Sequence, residues 1–375
     1  MSAPPVGVLF VTASAERGGA EAVLRTLLAH LNRSRVRPRV CCLSPGPFEA
    51  ELGRIEGLDV VTARVRGFRH AGDGWRAVRH LRALISQRGP SVVHANGIAA
   101  HIYGGLAARL EGVPAVFHLH DLLAGGWSGQ GLVNAVARRV PAAAIVTPSR
   151  FLADRVGPTR SRVVVIPNGV EEPPADTAPP AAARDGTART VVWCGRLQRW
   201  KGAHVFLAAA ARVCRHRPDT RFVVVGGTMF GLEPDYAREL ERLAARDGLG
   251  GAVRFTGHLA DAWPELRRAD VVVHSAVRPE PFGLVVVEAM LAGRAVVAAA
   301  AGGPAEIVED GATGLLTPPG DADALAAAIE RLLDDDELRA RLGRAARDSA
   351  RARFSARGMA SRFEDLYDSL TRSRE

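Results

Sequence analysis

Short apolar runs alternate with helix-like segments along this chain, and this alternation is the feature that most restricts its fold. Seven such runs precede residue 170: Val6 to Val11, Arg39 to Leu43, Val60 to Ala63, Val92 to His94, Ala115 to His118, Ala143 to Val146 and Val163 to Ile166. Six follow it: Val191 to Cys194, Phe222 to Val225, Val253 to Phe255, Val271 to His274, Ala295 to Ala298 and Gly314 to Leu316. Strands that alternate with helices form parallel sheets covered on both faces. The sequence therefore predicts an α/β protein with two doubly wound, Rossmann-like domains.

A segment rich in Pro and Ala separates the two series of runs. Residues 173–188 are predicted to be a linker between a first domain, 1–172, and a second domain, 189–354. The last segment, 355–375, has an apolar stripe at helical spacing and predicts a final helix. Doubly wound sheets bind ligands at the carboxyl ends of their strands, so we expect a cleft where these ends of the two domains face each other.

Composition excludes several classes of protein. The 375 residues are 47% hydrophobic, which is enough for two cores, and no apolar run approaches the roughly 20 residues of a membrane span. The start of the chain is typical of a first strand rather than a signal peptide. Four cysteines show neither metal-ligand nor disulfide spacing, as expected in a reducing compartment. We therefore expect a cytoplasmic protein.

Basic residues are concentrated in the first half. Residues 1–170 contain 21 Lys and Arg against 10 Asp and Glu, whereas the remainder contains 28 against 30. This excess favours an anionic partner, either a phosphorylated acceptor or a membrane surface, and an ordinary solvated surface is the alternative. The predicted helix from Trp75 to Arg88 carries Arg76, Arg79 and Arg82, so it either lies on an anionic membrane or covers a sheet with its cationic face in water. No nucleic-acid motif is present.

Two carboxylates flank a predicted helix N-terminus in the second half. Glu288 is the only charged residue between Glu280 and Arg294, in an apolar segment entered through a Pro/Gly turn. A desolvated carboxylate needs hydrogen-bond donors, so Glu288 should bind hydroxyl groups or face a solvated cleft. Glu280 precedes the helix, where free N–H groups and the helix dipole favour an anion. A solvated Glu on an ordinary helix is the alternative.

A glycine and two cations follow the first strand of the second half. Gly195 comes directly after Cys194 and allows the backbone to turn towards a ligand. Arg196 and Lys201, which is the single lysine of the chain, can then converge on one crevice, and two cations suit a diphosphate. A basic turn with solvated side chains is the alternative.

Histidines end two of the predicted strands in the first half. Strand alternation places His118 and His120 on one face, at the carboxyl end. His118 is interpreted as a packed core histidine. With Asp121 the two histidines could ligate zinc, although no further ligand cluster follows in the sequence. His94 and Asn96 either line the acceptor side or form an ordinary strand-end turn.

Several short motifs are assigned mainly to architecture. The Asn168–Gly169 pair predicts a turn at the domain junction, with a hinge role. Gly302 and Gly303 precede a proline and are interpreted as structural. Asp321 and Asp323 have the spacing of an Asp-x-Asp metal motif, but their place at a predicted helix start indicates capping.

Three features of the sequence form one pattern: the paired glutamates, the Gly-Arg-Leu stretch at 195–197 with Lys201-Gly202, and the Gly-Gly-Ala-Glu stretch at 18–21. Together they resemble the family 4 glycosyltransferases, which are retaining enzymes with the GT-B fold. The resemblance covers nearly the whole chain. It implies transfer of a sugar from a nucleoside-diphosphate sugar, with UDP or GDP as the leaving group, to a hydroxyl of a lipid phosphate, a glycan or a small natural product. It also implies that no metal or other cofactor is required, and that the final helix crosses back to the first domain. The loop at 18–21 lacks the Gly-x-Gly-x-x-Gly of a dinucleotide site, which argues against a dehydrogenase.

The resemblance also implies roles for single residues. The donor-binding residues are Gly19, Arg196, Lys201, Glu280, Phe282, Gly283, Leu284 and Glu288. The catalytic set is His120, Arg196, Lys201 and Glu280. Among these, Arg196 and Lys201 bind the diphosphate, Glu280 binds sugar hydroxyls, Glu288 binds the ribose, and His120 contacts the transferred sugar.

The expected mechanism has no separate catalytic base. The departing phosphate oxygen takes the acceptor's proton on the leaving-group face, which retains configuration. Three other functions fit the sequence: a non-catalytic binder of sugar nucleotides, an enzyme that couples a cyclitol, and a zinc hydrolase that uses His118, His120 and Asp121.

Overall fold

The computed structural model describes residues 4–13, 18–63, 71–122, 129–173, 188–228 and 233–372. The chain divides into two compact units, unit 1 (Met1–Val170 with Phe354–Glu375) and unit 2 (Glu171–Arg353). Residues 14–17 of the loop before Gly18, and residues 174–187 of the predicted linker, lie outside the described residues. None of the helices in the described part of the chain combines the length and the apolar character that crossing a membrane requires.

Unit 1 is built on seven strands. They are β1 (Val6–Thr12), β2 (Val36–Cys42), β3 (Asp59–Thr62), β4 (Val92–Asn96), β5 (Ala115–His118), β6 (Ala144–Thr147) and β7 (Arg162–Val165). Its helices are α1 (Gly19–His30), α2 (Pro47–Leu52), α3 (Ala71–Arg88), α4 (Ile98–Leu110), α5 (Gly129–Arg139), α6 (Arg150–Ala153) and, from the end of the chain, α14 (Ala356–Arg372). The sheet is parallel, with the strand order β3-β2-β1-β4-β5-β6-β7.

Unit 2 is built on six strands. They are β8 (Thr190–Cys194), β9 (Arg221–Val225), β10 (Val253–Gly257), β11 (Val271–His274), β12 (Ala295–Ala299) and β13 (Leu315–Thr317). Its helices are α7 (Ala203–His216), α8 (Tyr236–Arg246), α9 (Trp263–Arg268), α10 (Leu284–Leu291), α11 (Pro304–Ile307), α12 (Ala322–Asp334) and α13 (Asp336–Arg353). This sheet is also parallel, in the order β10-β9-β8-β11-β12-β13. The prediction of two doubly wound α/β domains is confirmed.

Among the described strands, β2 differs most from its predicted start. β2 begins at Val36, three positions before the predicted Arg39, because Val36 already pairs with Val6 of β1. β3 joins β2 only from Arg39 onward, so residues 36–38 have a partner on one side alone. A proline is tolerated in such an edge stretch because its missing N–H is not needed there. The predicted run therefore began one residue after Pro38, which lies inside the observed strand.

Both faces of the unit 1 sheet are covered. Leu9 and Val11 of β1 pack with the buried side chains of α3 and α4, whereas Phe10, which points to the opposite face, contacts Tyr367 of α14. α3 buries Val78, Leu81, Leu84 and Ile85, so this helix covers the sheet, while Trp75 stays 55% exposed. In unit 2, α7 and α12 share one core with the central strands.

The final helix, α14, packs on unit 1, which confirms the predicted return of the chain. Its Glu364 is almost fully buried and accepts the backbone N–H of Asn32 at 2.7 Å and the Arg35 guanidinium at 3.1 Å. Arg35 also pairs with Asp368 at 2.5 Å. These contacts satisfy a carboxylate that would otherwise be costly to bury.

The Asp321 side chain caps α12. It accepts the backbone N–H groups of Asp323 and Ala324 at 3.0 and 2.9 Å. These two bonds satisfy N–H groups that have no acceptor within the helix. The predicted capping role of Asp321 is confirmed.

We expect Gly169→Ala to destabilise unit 1 through the start of α14. An added Cβ would lie 2.7 Å from Cα of Ala356 and 2.8 Å from the carbonyl oxygen of Ser355, so the first turn of α14 must shift. Overpacking of this kind costs about 2 kcal/mol of unfolding free energy, which urea denaturation measures. Gly53→Ala is the matched control, because its nearest neighbouring atom would be 3.6 Å away. Equal stabilities of the two variants would contradict this account of the α14 contact.

Candidate functional site

The loop after β8 is held to its neighbours by backbone bonds. The N–H of Gly195 donates to the Val225 carbonyl at 2.9 Å, and the N–H of Leu197 donates to the Gly227 carbonyl at 3.0 Å. Gly226 lies so close that a Cβ on it would be 1.8 Å from the Gly195 carbonyl oxygen. The loop that carries Arg196 therefore has a fixed path, which accounts for the glycines in both neighbouring loops.

Gly202 ends this loop in a left-handed conformation against Ser275. Its φ is +76°, and a Cβ at this position would lie 1.8 Å from the Ser275 carbonyl oxygen. The Ser275 hydroxyl donates to the Gly202 carbonyl at 2.8 Å and accepts the indole N–H of Trp193 at 3.1 Å. Lys201 is thereby placed at the start of α7 next to the segment that follows β11.

A second pair of glycines fixes the turn that holds Glu280. The N–H of Gly303 donates to the Glu280 carbonyl at 2.7 Å, and Gly302 pairs with Glu280 in an isolated bridge. A Cβ on Gly303 would lie 2.3 Å from the Phe282 carbonyl oxygen. The glycines that the sequence analysis assigned to architecture thus set the path of the backbone on which Glu280 is mounted.

The carboxylate of Glu280 lies between two basic side chains. Lys201 Nζ pairs with Oε1, and His274 Nε2 donates to Oε2 at 2.7 Å. Lys201 also lies over the ring of Trp200, 4.4 Å from its centroid. The side chains of Lys201 and Glu280 are each 13% exposed, so the pair is largely shielded from water. Two residues from motifs 79 positions apart therefore meet in one site.

Glu280 remains ionised in this setting. Burial alone would raise the pKa of Glu280, but the Lys201 charge and the hydrogen bond from His274 outweigh it and hold the pKa well below its usual range. A carboxyl group whose pKa is lower in the folded protein stabilises the fold above its unfolded pKa, near 4.3. That contribution is lost only when the pH falls through the lower folded value. Glu280 is thus suited to accept hydrogen bonds and not to carry a proton.

Glu288 lies near the end of β8. Burial and, to a smaller extent, the negative charge of Glu288 together raise the pKa of the Cys194 thiol to about 12, whereas Lys201 opposes the shift. The two glutamates and the loop after β8 therefore belong to one region of unit 2. Arg196, in that loop, is partly exposed.

α10 begins directly after the Glu280 turn. Gly283, with φ at +109°, is its N-cap, and Leu284 is its first residue. N–H groups in the first turn of a helix have no acceptor within it, and the helix dipole makes this end attractive to an anion. The backbone N–H groups at the start of α10 therefore lie in the segment that directly follows the Glu280 turn.

The histidines at the strand ends of unit 1 form a buried hydrogen-bonded chain. The Tyr367 hydroxyl lies 2.7 Å from His94 Nδ1, and His94 Nε2 lies 3.2 Å from His118 Nδ1. Burial lowers the pKa of His94 to about 3 and holds that of His118 well below its usual range, so both rings are neutral. His94 is fully buried, which corrects the suggestion that it lines a surface on the acceptor side.

His120 is the partly exposed member of this group. Its Nε2 donates to Oδ1 of Asn96 at 2.7 Å, and the amide of Asn96 donates to the Ala20 carbonyl at 3.4 Å. Burial lowers the pKa of His120 to about 4, so the ring is neutral and leaves Nδ1 as an acceptor. Gly19 is exposed at the start of α1, where the Glu21 side chain accepts the N–H of Gly18 at 3.0 Å.

The structure does not place the suggested zinc ligands around one site. Within the described ranges, no three His, Cys, Asp or Glu side chains are placed to hold a metal ion. Nδ1 of His118 is bonded to His94, and His120 is bonded to Asn96.

The sequence analysis gave no role to two residues that contact the site. His274 was included only as a strand end, and Ser275 was not considered. The sequence did contain a sign of both residues, because His274 and Ser275 are polar and directly follow three valines at the carboxyl end of β11.

We expect Gly202→Ala to cost far more stability than a glycine replacement with the same backbone. Gly248 has nearly the same φ, +75°, but no atom within 4 Å of an added Cβ. Gly248→Ala should therefore lower the free energy of unfolding by about 1 kcal/mol, the cost of a left-handed backbone at a residue with a side chain. Gly202→Ala adds a clash with Ser275 and should lower the free energy of unfolding by about 3 kcal/mol or more. Urea denaturation of both variants measures the difference. Equal losses would show that the Ser275 contact does not constrain the loop.

Comparisons with known proteins cover both halves of the chain. A family model described as Glycosyltransferase Family 4 matches residues 17–172, and one described as Glycosyl transferases group 1 matches residues 175–349. The chain is 34% identical to the glycogen synthase of Mycobacterium tuberculosis over 312 residues, which covers 78% of this chain and 72% of that protein. It is 32% identical to the D-inositol 3-phosphate glycosyltransferase of Xylanimonas cellulosilytica over an alignment of 415 residues, which covers 98% of this chain and 92% of that protein.

Solved structures show the same likeness. Anabaena Alr3699/HepE in complex with UDP-glucose superimposes with a TM-score of 0.83 and 29% sequence identity, over 97% of this chain and 99% of that one. Models of one family thus match both halves, and the relatives are covered for most of their length. The chain therefore belongs to the family 4, group 1 glycosyltransferases, and its two Rossmann-like units are those of the GT-B fold.

Proposed function

We propose that this glycosyltransferase is a retaining enzyme that transfers a hexose from a nucleoside-diphosphate sugar to an acceptor hydroxyl without a metal ion. The observation that carries the proposal is the meeting of Lys201 and Glu280 in one shielded site in unit 2. A cation that suits a diphosphate and a carboxylate that suits sugar hydroxyls are thus side by side. The UDP-glucose held by HepE supports UDP as the nucleotide.

The proposed roles of the donor-binding residues follow from their charges. Arg196 and Lys201 stabilise the negative charge that develops on the β-phosphate as the bond to the sugar breaks. The backbone N–H groups from Phe282 to Leu284, at and just before the N-terminus of α10, add further donors. Glu280 accepts hydrogen bonds from the donor sugar, and Glu288 accepts them from the ribose. These positive groups take the part that a divalent ion plays in other transferases.

The low pKa of Glu280 supports a mechanism without a protein base at that position. A carboxylate that resists protonation is a poor acceptor for the proton of the attacking hydroxyl. The departing phosphate oxygen therefore takes that proton, on the face from which the acceptor attacks, and configuration is retained. His120 is assigned the contact with the transferred sugar, on the basis of the family resemblance and its neutral ring.

The first experiment is thermal unfolding with UDP, GDP, ADP and dTDP, each with and without EDTA. A diphosphate at about 100 times its dissociation constant should add roughly 2.7 kcal/mol of stability, and EDTA should not change the shift. Glu288→Ala should mainly weaken binding of that nucleotide, whereas Arg196→Ala should mainly lower turnover with its sugar conjugate.

Five outcomes would contradict parts of the proposal. A shift abolished by EDTA would indicate a required metal ion, and stoichiometric zinc would favour the hydrolase. No shift with any diphosphate would remove the donor site. Binding of a nucleotide with no glycosylated product from any acceptor would favour a non-catalytic binder of sugar nucleotides. A cyclitol-coupled product would favour an enzyme that couples a cyclitol. Proton NMR of the product reports the anomeric configuration and tests retention.

We also propose a weak peripheral contact between unit 1 and an anionic membrane. Trp75 is 55% exposed and Arg76 is 64% exposed on α3, with Arg79 exposed one turn further on. The apolar side of α3 is buried, so the contact is limited to one tryptophan and its neighbouring arginines. An acceptor carried by a lipid phosphate would suit such a surface.

We expect Trp75→Ala/Arg79→Ala to lower binding to vesicles of phosphatidylglycerol and phosphatidylcholine by about fivefold or more, since each basic residue near such a surface contributes about 1 kcal/mol. Co-sedimentation at low and high salt measures this. Arg109→Ala/Leu110→Ala is the control, because it removes an exposed Arg and an exposed apolar side chain elsewhere on unit 1. Equal binding by both double variants would rule out α3 as the contact.

A further inference from the structure

His274 ends β11 and is 5% exposed. Its Nε2 donates to Oε2 of Glu280 at 2.7 Å. The other ring nitrogen, Nδ1, is buried and has no hydrogen-bond partner among the described residues. Glu280 is therefore the one polar group that the structure records for this ring.

We propose that His274 is a positioning residue that holds the carboxylate of Glu280 in the orientation that receives the hydroxyls of the donor sugar. This inference rests on the proposed function, because it takes Glu280 as the group that recognises the sugar. His274 itself does not touch the donor. Its contribution is to Glu280, through one hydrogen bond.

The two oxygens of Glu280 have different partners, and this makes His274 necessary. Oε1 pairs with Lys201, whereas Oε2 is held by His274. A bound diphosphate attracts the Lys201 ammonium and weakens its hold on Oε1. His274 is then the remaining side chain that fixes the carboxylate, and Oε1 becomes available to a sugar hydroxyl.

The surroundings of Glu280 leave its side chain as the part that still needs an anchor. The backbone of Glu280 is already fixed by the Gly303 N–H and by the bridge to Gly302. A carboxylate on a fixed backbone can still rotate about its side-chain bonds. The bond from His274 removes that freedom and thereby preorganises the acceptor for a hydroxyl.

His274 is itself rigidly mounted. β11 lies between β8 and β12 and pairs with both, and His274 aligns with Ala298 in that ladder. The three residues before it are buried valines, so an apolar residue would suit this position at least as well for packing. A buried Nδ1 without a partner is a cost. The bond to Glu280 accounts for a histidine at this place.

The test compares His274→Asn with His274→Gln. The amide nitrogen of Gln reaches about as far from the backbone as Nε2 of His, whereas that of Asn reaches only as far as Nδ1. Calorimetry with UDP and with UDP-glucose then separates the nucleotide contribution from the sugar contribution. His274→Asn should bind UDP-glucose about tenfold more weakly, with UDP affinity within twofold of wild type. His274→Gln should restore most of the loss.

His216→Asn is the matched control, because this exposed histidine of unit 2 pairs with Glu330 and lies outside the donor site. If GDP stabilises the wild type instead of UDP, GDP and GDP-mannose replace the two probes. Equal affinity of wild type and His274→Asn for the sugar nucleotide would overturn the inference, as would an equal loss of both affinities, which indicates a structural role. A wild type that binds no diphosphate would instead refute the proposed function.

Discussion

The ion pair between Lys201 and Glu280 is the interaction on which the proposed donor site of unit 2 depends. Removing either partner would leave an uncompensated charge in a largely shielded site, which is among the costlier changes a folded protein can suffer. The pair also requires that two loops, after β8 and after β11, approach closely. Gly202 makes this approach possible, because a Cβ on it would lie 1.8 Å from the Ser275 carbonyl oxygen. Gly226, Gly302 and Gly303 let the loops after β9 and β12 pack closely against these two loops. The charges and the glycines are parts of one arrangement.

The polar side chains at the strand ends differ in charge state between the two units. Unit 2 keeps a carboxylate ionised by surrounding it with donors, whereas unit 1 keeps its histidines neutral by burying them. A histidine whose pKa is lower in the folded protein stabilises the fold above its unfolded pKa, near 6.5. For His94 and His120 this contribution declines as the pH falls from there towards about 3 and about 4. Acid should therefore weaken unit 1 at a higher pH than the one at which Glu280 loses its charge.

Apolar periodicity was sufficient to predict the fold, because most strands are short runs buried on both faces, such as β4 and β12, and such runs can be recognised without information from distant residues. The Lys201 and Glu280 positions could also be predicted, since each belongs to a local motif with glycines beside it. What could not be predicted were contacts between residues far apart in sequence. Tyr367 and His94 are separated by 273 positions, and no local pattern indicates that a phenol on the last helix meets a histidine on β4. His274 was missed for a related reason: a single polar residue at a strand end has many interpretations until its partner is known.

The order in which the chain is synthesised gives the packing of α14 a further consequence. Unit 1 is discontinuous, because residues 354–375 complete it after all of unit 2 has been made. Until then Arg35 lacks Glu364 and Asp368, and His94 lacks Tyr367. The isolated bridge between Val170 and Ser355 also forms late, since Val170 donates its N–H to the Phe354 carbonyl at 2.9 Å. On the ribosome, unit 2 has all of its residues before unit 1 does, even though unit 1 begins first. The face of the N-terminal sheet that α14 covers must therefore stay open until the end of synthesis. The nascent chain is most exposed to aggregation during this interval.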